Sequence, residues 1–109
     1  MRKEKFKILK KVHLMDGYRE EFVELEGSCE MCKPLMIHKT PGQKKWTVTH
    51  IKSGGAYIKG LSLKQARMLI KLTKDYECWE VEDYKELEKR CYSRRWKKQL
   101  EQAITTIRQ

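Results

Sequence analysis

Turn signals cut the first 60 residues into short segments that leave no room for a long helix. Asp16-Gly17 is a strong two-residue hairpin signal, Thr40-Pro41-Gly42-Gln43 carries Pro and Gly where a type II turn wants them, and Gly54-Gly55 supplies the positive φ angles of a tight hairpin. Before the first signal, Phe6, Ile8, Val12 and Leu14 alternate largely with lysines; beyond it Val23 and Leu25 alternate with glutamates. That period of two predicts a hairpin. With Asp16-Gly17 as its turn, Ile8 faces Leu25 and Lys10 faces Val23 on one side, while Lys7 faces Glu26 and His13 faces Glu20 on the other, so one face is mostly apolar and the other rich in opposite charges. A helix over residues 18–26, with Tyr18, Phe22 and Leu25 on one side, competes with this hairpin. Three short strands follow, over residues 35–39, 45–52 and 56–59, as a meander. Trp46, Val48 and His50 share one face of the second of these, and Thr47, Thr49 and Ile51 the other. Large apolar residues favour the interior, so Trp46 and Val48 are expected in the core. The reverse arrangement would expose Trp46, His50, Lys52, Tyr57 and Lys59 as an aromatic and basic sheet surface.

After Gly60 the period changes to that of a helix. Ser62 can cap it, Gln65 completes a capping box, and Leu63, Ala66, Leu69, Ile70 and Thr73 line one face. Met68 and Leu72 widen that face so far that burial over more than half the circumference is expected. A last helical region begins near Val81 or Glu82, but its apolar stripe changes sides: Tyr84, Leu87 and Cys91 lie roughly opposite Trp96, Leu100, Ala103, Ile104 and Ile107. One straight helix cannot bury both sets, so a break near Ser93 is expected. The second half then packs on the protein's own core or on a partner chain; the scarcity of apolar residues favours the first. The 109 residues suit a single α+β domain, with residues 1–60 mainly β and 61–109 mainly α. Its antiparallel sheet of four to five strands, an N-terminal hairpin plus a three-strand meander, is packed by two C-terminal helical segments, the last one bent. In outline alone, a meander followed by a packing helix is similar to the three-stranded-sheet DNA-binding domains of plant ethylene-response regulators and of some transposon integrases.

Charge is segregated along the chain. Residues 31–74 carry ten basic side chains and no carboxylate, which equals the whole net charge of +10. Residues 75–88 hold seven acids against Lys85 alone, and residues 89–109 are basic again. A surface of one sign attracts polyanions, nucleic acid first among them. On the Ser62 helix, Lys64, Arg67, Lys71 and Lys74 form a stripe in the sector free of large apolar side chains, without acidic partners four residues on. A second cluster, Lys89-Arg90 and Arg94-Arg95-Trp96-Lys97-Lys98 with Tyr92, mixes cations with aromatic rings as phosphate and base contacts do. Against this, acids followed by bases along one helix would satisfy its dipole without any ligand. The candidate contact residues are Lys52, Lys59, Lys64, Arg67, Lys71, Lys74, Arg90, Arg94, Arg95, Lys97 and Lys98.

Cys29-Glu-Met-Cys32 has the spacing of half a zinc knuckle, whose two thiolates on a tight turn bind one ion. No second Cys-x-x-Cys completes it, so Cys29 and Cys32 are expected as free thiols together in a turn; zinc, completed by Cys78 and Cys91 or a histidine, is the lesser alternative. No Gly-x-Gly-x-x-Gly, phosphate-binding loop, nucleophile elbow or His-Glu-x-x-His is present, so a non-enzymatic protein without a cofactor is expected. No apolar run reaches the roughly 18 residues of a bilayer span, and the chain opens on charge, so no membrane partner and a cytoplasmic location with reduced thiols are expected. These features together point to a small basic protein that binds DNA or RNA. The alternative is a protein-interaction module or inhibitor from a virus or mobile element, docking onto a host nucleic-acid enzyme.

Overall fold

The computed structural model describes residues 2–40 and 42–109. Strands β1 (Arg2–Leu14), β2 (Gly17–Cys32), β3 (Leu35–Lys39), β4 (Trp46–His50) and β5 (Ala56–Leu61) form one antiparallel sheet in sequence order. Helix α1 (Leu63–Thr73), a short 3-10 turn at Glu77–Trp79, α2 (Tyr84–Cys91) and α3 (Arg94–Arg108) follow. The α+β class holds, and residues 18–26 are strand rather than helix. Hairpin and meander are not separate sheets, because Cys29 pairs with His38 and Cys32 with Leu35.

The hairpin register differs from the expected one. Leu14 lies opposite Gly17, so Met15 and Asp16 make the turn; Phe6 faces Leu25, Ile8 faces Val23, Lys7 faces Glu24, Lys10 faces Glu21 and His13 faces Tyr18. A turn centred on Asp16-Gly17 would need a positive φ at Asp16, and among the described residues only glycines have one; Gly17, at 145°, takes the place after the turn. The change moves every partner by two positions, so the expected apolar and charged faces survive it. At the second turn Gly42 has φ 73° and the Gln43 N–H donates to the Thr40 carbonyl at 3.0 Å, while Pro41 itself lies outside the described residues. At the third only Gly54 is left-handed, at 71°.

Both faces of β3 and β4 are buried, so neither expected strand face lies open. Towards the helices, Leu35, Ile37, Val48 and Leu61 pack with Ala66, Leu69 and Ile70 of α1 and with Trp79, Leu87, Leu100 and Ile107. On the opposite side the long hairpin curls back over the sheet. Phe6, Cys29 and Met36 form a second small core with Ile8, Leu25 and Ile51, and the Leu9 N–H reaches the Gly54 carbonyl at 2.9 Å. A Cβ on Gly54 would meet the Leu9 nitrogen at 2.9 Å, so close approach as well as backbone angle requires glycine there. Thr47 and Thr49 are therefore buried; on the helical side His50 is buried against Trp79 and Trp46 is half-buried. The outward surface of Trp46, His50, Lys52, Tyr57 and Lys59 does not exist; of that set, only Lys52 and Lys59 are exposed.

Ser62 caps α1 with the reciprocal Gln65 capping box, and Ala66, Leu69, Ile70 and Thr73 are buried. Met68 and Leu72 are 41% and 46% exposed, against expectation. The sheet and α3 cover two flanks of α1, and the sector holding these two side chains faces outward. The expected break is present: α2 ends at Cys91 and α3 starts at Arg94, so Leu87 and the Leu100, Ala103, Ile107 set each reach the same core from differently directed helices. α3 packs on α1 within the chain.

Candidate nucleic-acid interface

The cations of α1 are exposed as expected, but not all are unpaired. Arg67 donates through Nε and Nη2 to Glu30 Oε2 of β2, at 3.1 and 2.9 Å. Lys74, at the carboxyl cap of α1, lines a groove with Lys52 and with the acids Asp75, Glu80 and Glu82. The acidic segment thus folds against part of the acid-free one. Arg90 donates to the Glu77 carbonyl at 3.2 Å, and Lys59 is exposed on β5. Lys64 and Lys71 remain as exposed cations of α1.

The second cluster is divided by the break. Lys89 and Arg90 close α2, where cations suit the helix dipole, but Arg94, Arg95, Lys97 and Lys98 open α3, where they oppose it. The first turn of α3 has no acid, and the Ser93 hydroxyl donates to the Arg90 carbonyl at 2.7 Å instead of capping α3. Dipole compensation therefore cannot explain these four cations. Trp96 is half-buried, 5.2 Å from the Tyr76 ring and with the Arg95 guanidinium 4.9 Å above it. Since Tyr76 lies three residues past the end of α1, this contact sets the amino end of α3 beside the carboxyl end of α1. Arg94 and Arg95 thus lie at the same end of the helical layer as Lys71 and Lys74.

Cys29 and Cys32 are not together in a turn. Both lie within β2, where residues three apart point to opposite faces, so Cys29 joins the hairpin core and Cys32 packs against the main core. Burial raises both thiols above their ordinary pKa, helped by Glu4 at Cys29 and by Glu30 at Cys32. Cys78 and Cys91 are in the main core, on elements that pack together. Among the described residues no group of three or more His, Cys, Asp or Glu side chains could hold a metal ion. Among the described residues no helix is long and apolar enough to cross a membrane.

No protein-family model, curated protein or solved structure matches this chain. The assignment of a site therefore rests on geometry alone. One feature escaped the linear pattern: a cavity of about 190 Å³ between β5, α2 and α3, lined among others by Tyr57, Trp79, Tyr84, Leu87 and Cys91. Tyr57 donates its hydroxyl to the Leu100 carbonyl at 3.0 Å, and burial pushes its pKa upward. Two aromatic residues within the acidic segment, Trp79 and Tyr84, were the available signal: large apolar side chains among so many acids must be going inside.

Proposed function

We propose that the protein is a small non-enzymatic nucleic-acid-binding protein that grips the phosphate backbone with Arg94, Arg95, Lys97 and Lys98 of α3, joined by Lys71 and Lys74 at the adjoining end of α1. One observation carries this reading: four exposed cations crowd the first turns of a helix whose amino end has no side-chain cap, where the dipole disfavours Arg94 and Arg95 most. A bound polyanion turns that unfavourable arrangement into a favourable one, because phosphate is attracted both by the cations and by the helix end. Lys64 and Lys59 extend the field; Lys52 and Lys74 add less, with Asp75, Glu80 and Glu82 in the same groove. Arg67 and Arg90 contribute less, each having a partner within the fold.

The test is the salt dependence of binding to labelled duplex and single-stranded oligonucleotides. For Arg94→Glu with Arg95→Glu, the slope of log K against log salt should fall by about one unit per lost phosphate contact. An unchanged slope, or no binding by the unaltered protein at low salt, overturns the proposal. A second reading, a module docking on a host nucleic-acid enzyme, is favoured by a different place: Leu14 and Met15 are exposed at the hairpin tip, near which Lys10 lies across from Glu21 and Arg19 pairs with Glu21 at 3.5 Å, so opposite charges are mixed there. Replacing Leu14 and Met15 by Ser would leave phosphate binding intact and weaken such docking.

A further inference from the structure

We propose that Cys78 and Cys91 form a redox pair, closing to an intramolecular disulfide under a hydroperoxide, with Cys91 as the attacking thiol and Cys78 as the resolving one. Cys78 sits in the 3-10 turn and Cys91 is the last residue of α2. Both lie in the main core, on elements that also meet through the bond from Arg90 to the Glu77 carbonyl. Their exposure differs in a way that assigns the roles. Cys78 is fully buried, whereas Cys91 is half-buried and lines the cavity of about 190 Å³. A water occupies about 30 Å³ of liquid, so this space admits a hydroperoxide to Cys91 and to it alone of the two.

The proton inventory runs the same way. The neighbouring thiol biases each of the pair: it lowers the pKa of Cys91, and with burial it raises that of Cys78. The nucleophile is the thiolate, so Cys91 reacts first. Cys29 and Cys32, both raised by burial and by a neighbouring carboxylate, are the less reactive thiols. The chemistry balances in two steps. The Cys91 thiolate attacks one peroxide oxygen, the O–O bond breaks, and with one proton taken up it leaves a sulfenic acid and, from hydrogen peroxide, one water. The Cys78 sulfur then attacks the Cys91 sulfur, the S–O bond breaks, and the proton from Cys78 leaves with the hydroxide as a second water. Overall two thiols lose two electrons and the peroxide gains them.

Hydrogen peroxide treatment of the full chain, followed by alkylation and peptide mapping, tests the pair. Expected is a Cys78–Cys91 cross-linked peptide, with loss of alkylation at these two positions and retention at Cys29 and Cys32. In Cys78→Ser, Cys91 should stop at the sulfenic acid and be trapped by a 1,3-dicarbonyl reagent; in Cys91→Ser, Cys78 should remain a thiol. A bridge mapping to Cys29 and Cys32, a sulfenic acid trapped at Cys78, or four thiols still alkylated in the unaltered protein would overturn the proposal. The mapping on the unaltered protein needs no variant to fold.

Discussion

His50 joins the sheet to the segment that follows α1. A carbonyl can only accept, so Nε2–H donates to the Trp79 carbonyl at 2.7 Å and Nδ1 is left to accept from the Ser53 hydroxyl at 2.8 Å. His38 has the mirror tautomer: Nδ1–H donates to the Lys39 carbonyl at 3.2 Å and Nε2 accepts from the Thr49 hydroxyl at 2.8 Å. A second proton would force the Thr49 and Ser53 hydroxyls to turn from donor to acceptor, and burial, the leading cause, lowers both rings below the ordinary value of 6.5. The unfolded chain thus binds protons more readily than the folded one. The contribution of these rings to stability is complete above 6.5 and is lost as pH falls from there through their lowered folded values. The melting temperature should drop on acidification from about pH 7.5 to about pH 5, and His50→Gln should reduce that dependence. A melting temperature flat across this window in the unaltered protein would contradict the assignment.

At the scale of elements, α3 can be tested for a conflict between stability and binding. Arg94→Glu with Arg95→Glu places acids at the amino end of a helix that has none in its first turn. Each replaced cation should stabilise the fold by about 0.3–1 kcal/mol at low salt, through the dipole alone. The same variant should lose phosphate affinity. Urea unfolding beside the salt titration reads both signs; destabilisation would mean that these arginines have a structural role. The break that creates this helix end was legible, because Leu87 and Leu100 cannot lie on one stripe. The helix end as an electrostatic site was not, since along an unbroken helix the same residues would have sat towards the favourable end.

For the whole molecule, the fold depends on α3, the 15-residue helix that closes the chain but for Gln109. Leu100, Ala103 and Ile107 close the core over α1, and Tyr57 bonds to the Leu100 carbonyl. Truncation after Ser93 should cost several kcal/mol, at ~1.5–3 for each large apolar side chain re-exposed, which is much of the stability of a domain this size. Loss of the cooperative melting transition is the expected result; a truncated chain that keeps its melting temperature would mean that α3 serves association instead. The folded chain also redistributes charge. Asp75, Glu80 and Glu82 come up to Lys52 and Lys74, and Glu30 to Arg67, so the acid-free segment is less exposed as a field than its linear composition implies, and the amino end of α3 gains relative weight.

Local periodicity by itself determined the elements: alternation in the hairpin, the Ser62 capping box, and a stripe that changes sides at Ser93 all act over a few residues, where backbone geometry permits few answers. It also set the faces of the hairpin, which survive a register change of two. What only the tertiary structure decided depends on distant residues meeting. The curl of β1 and β2 over the sheet buried His38, Thr47 and Thr49, and the turn after α1 buried His50 from the other side, which no alternation along β3 or β4 could announce. Strand geometry separated Cys29 from Cys32 despite their motif, and packing of the 3-10 turn on α2 brought Cys78 to Cys91 despite the lack of one. Burial is a property of what lies across the fold, and a linear pattern reports only which side chains could accept it.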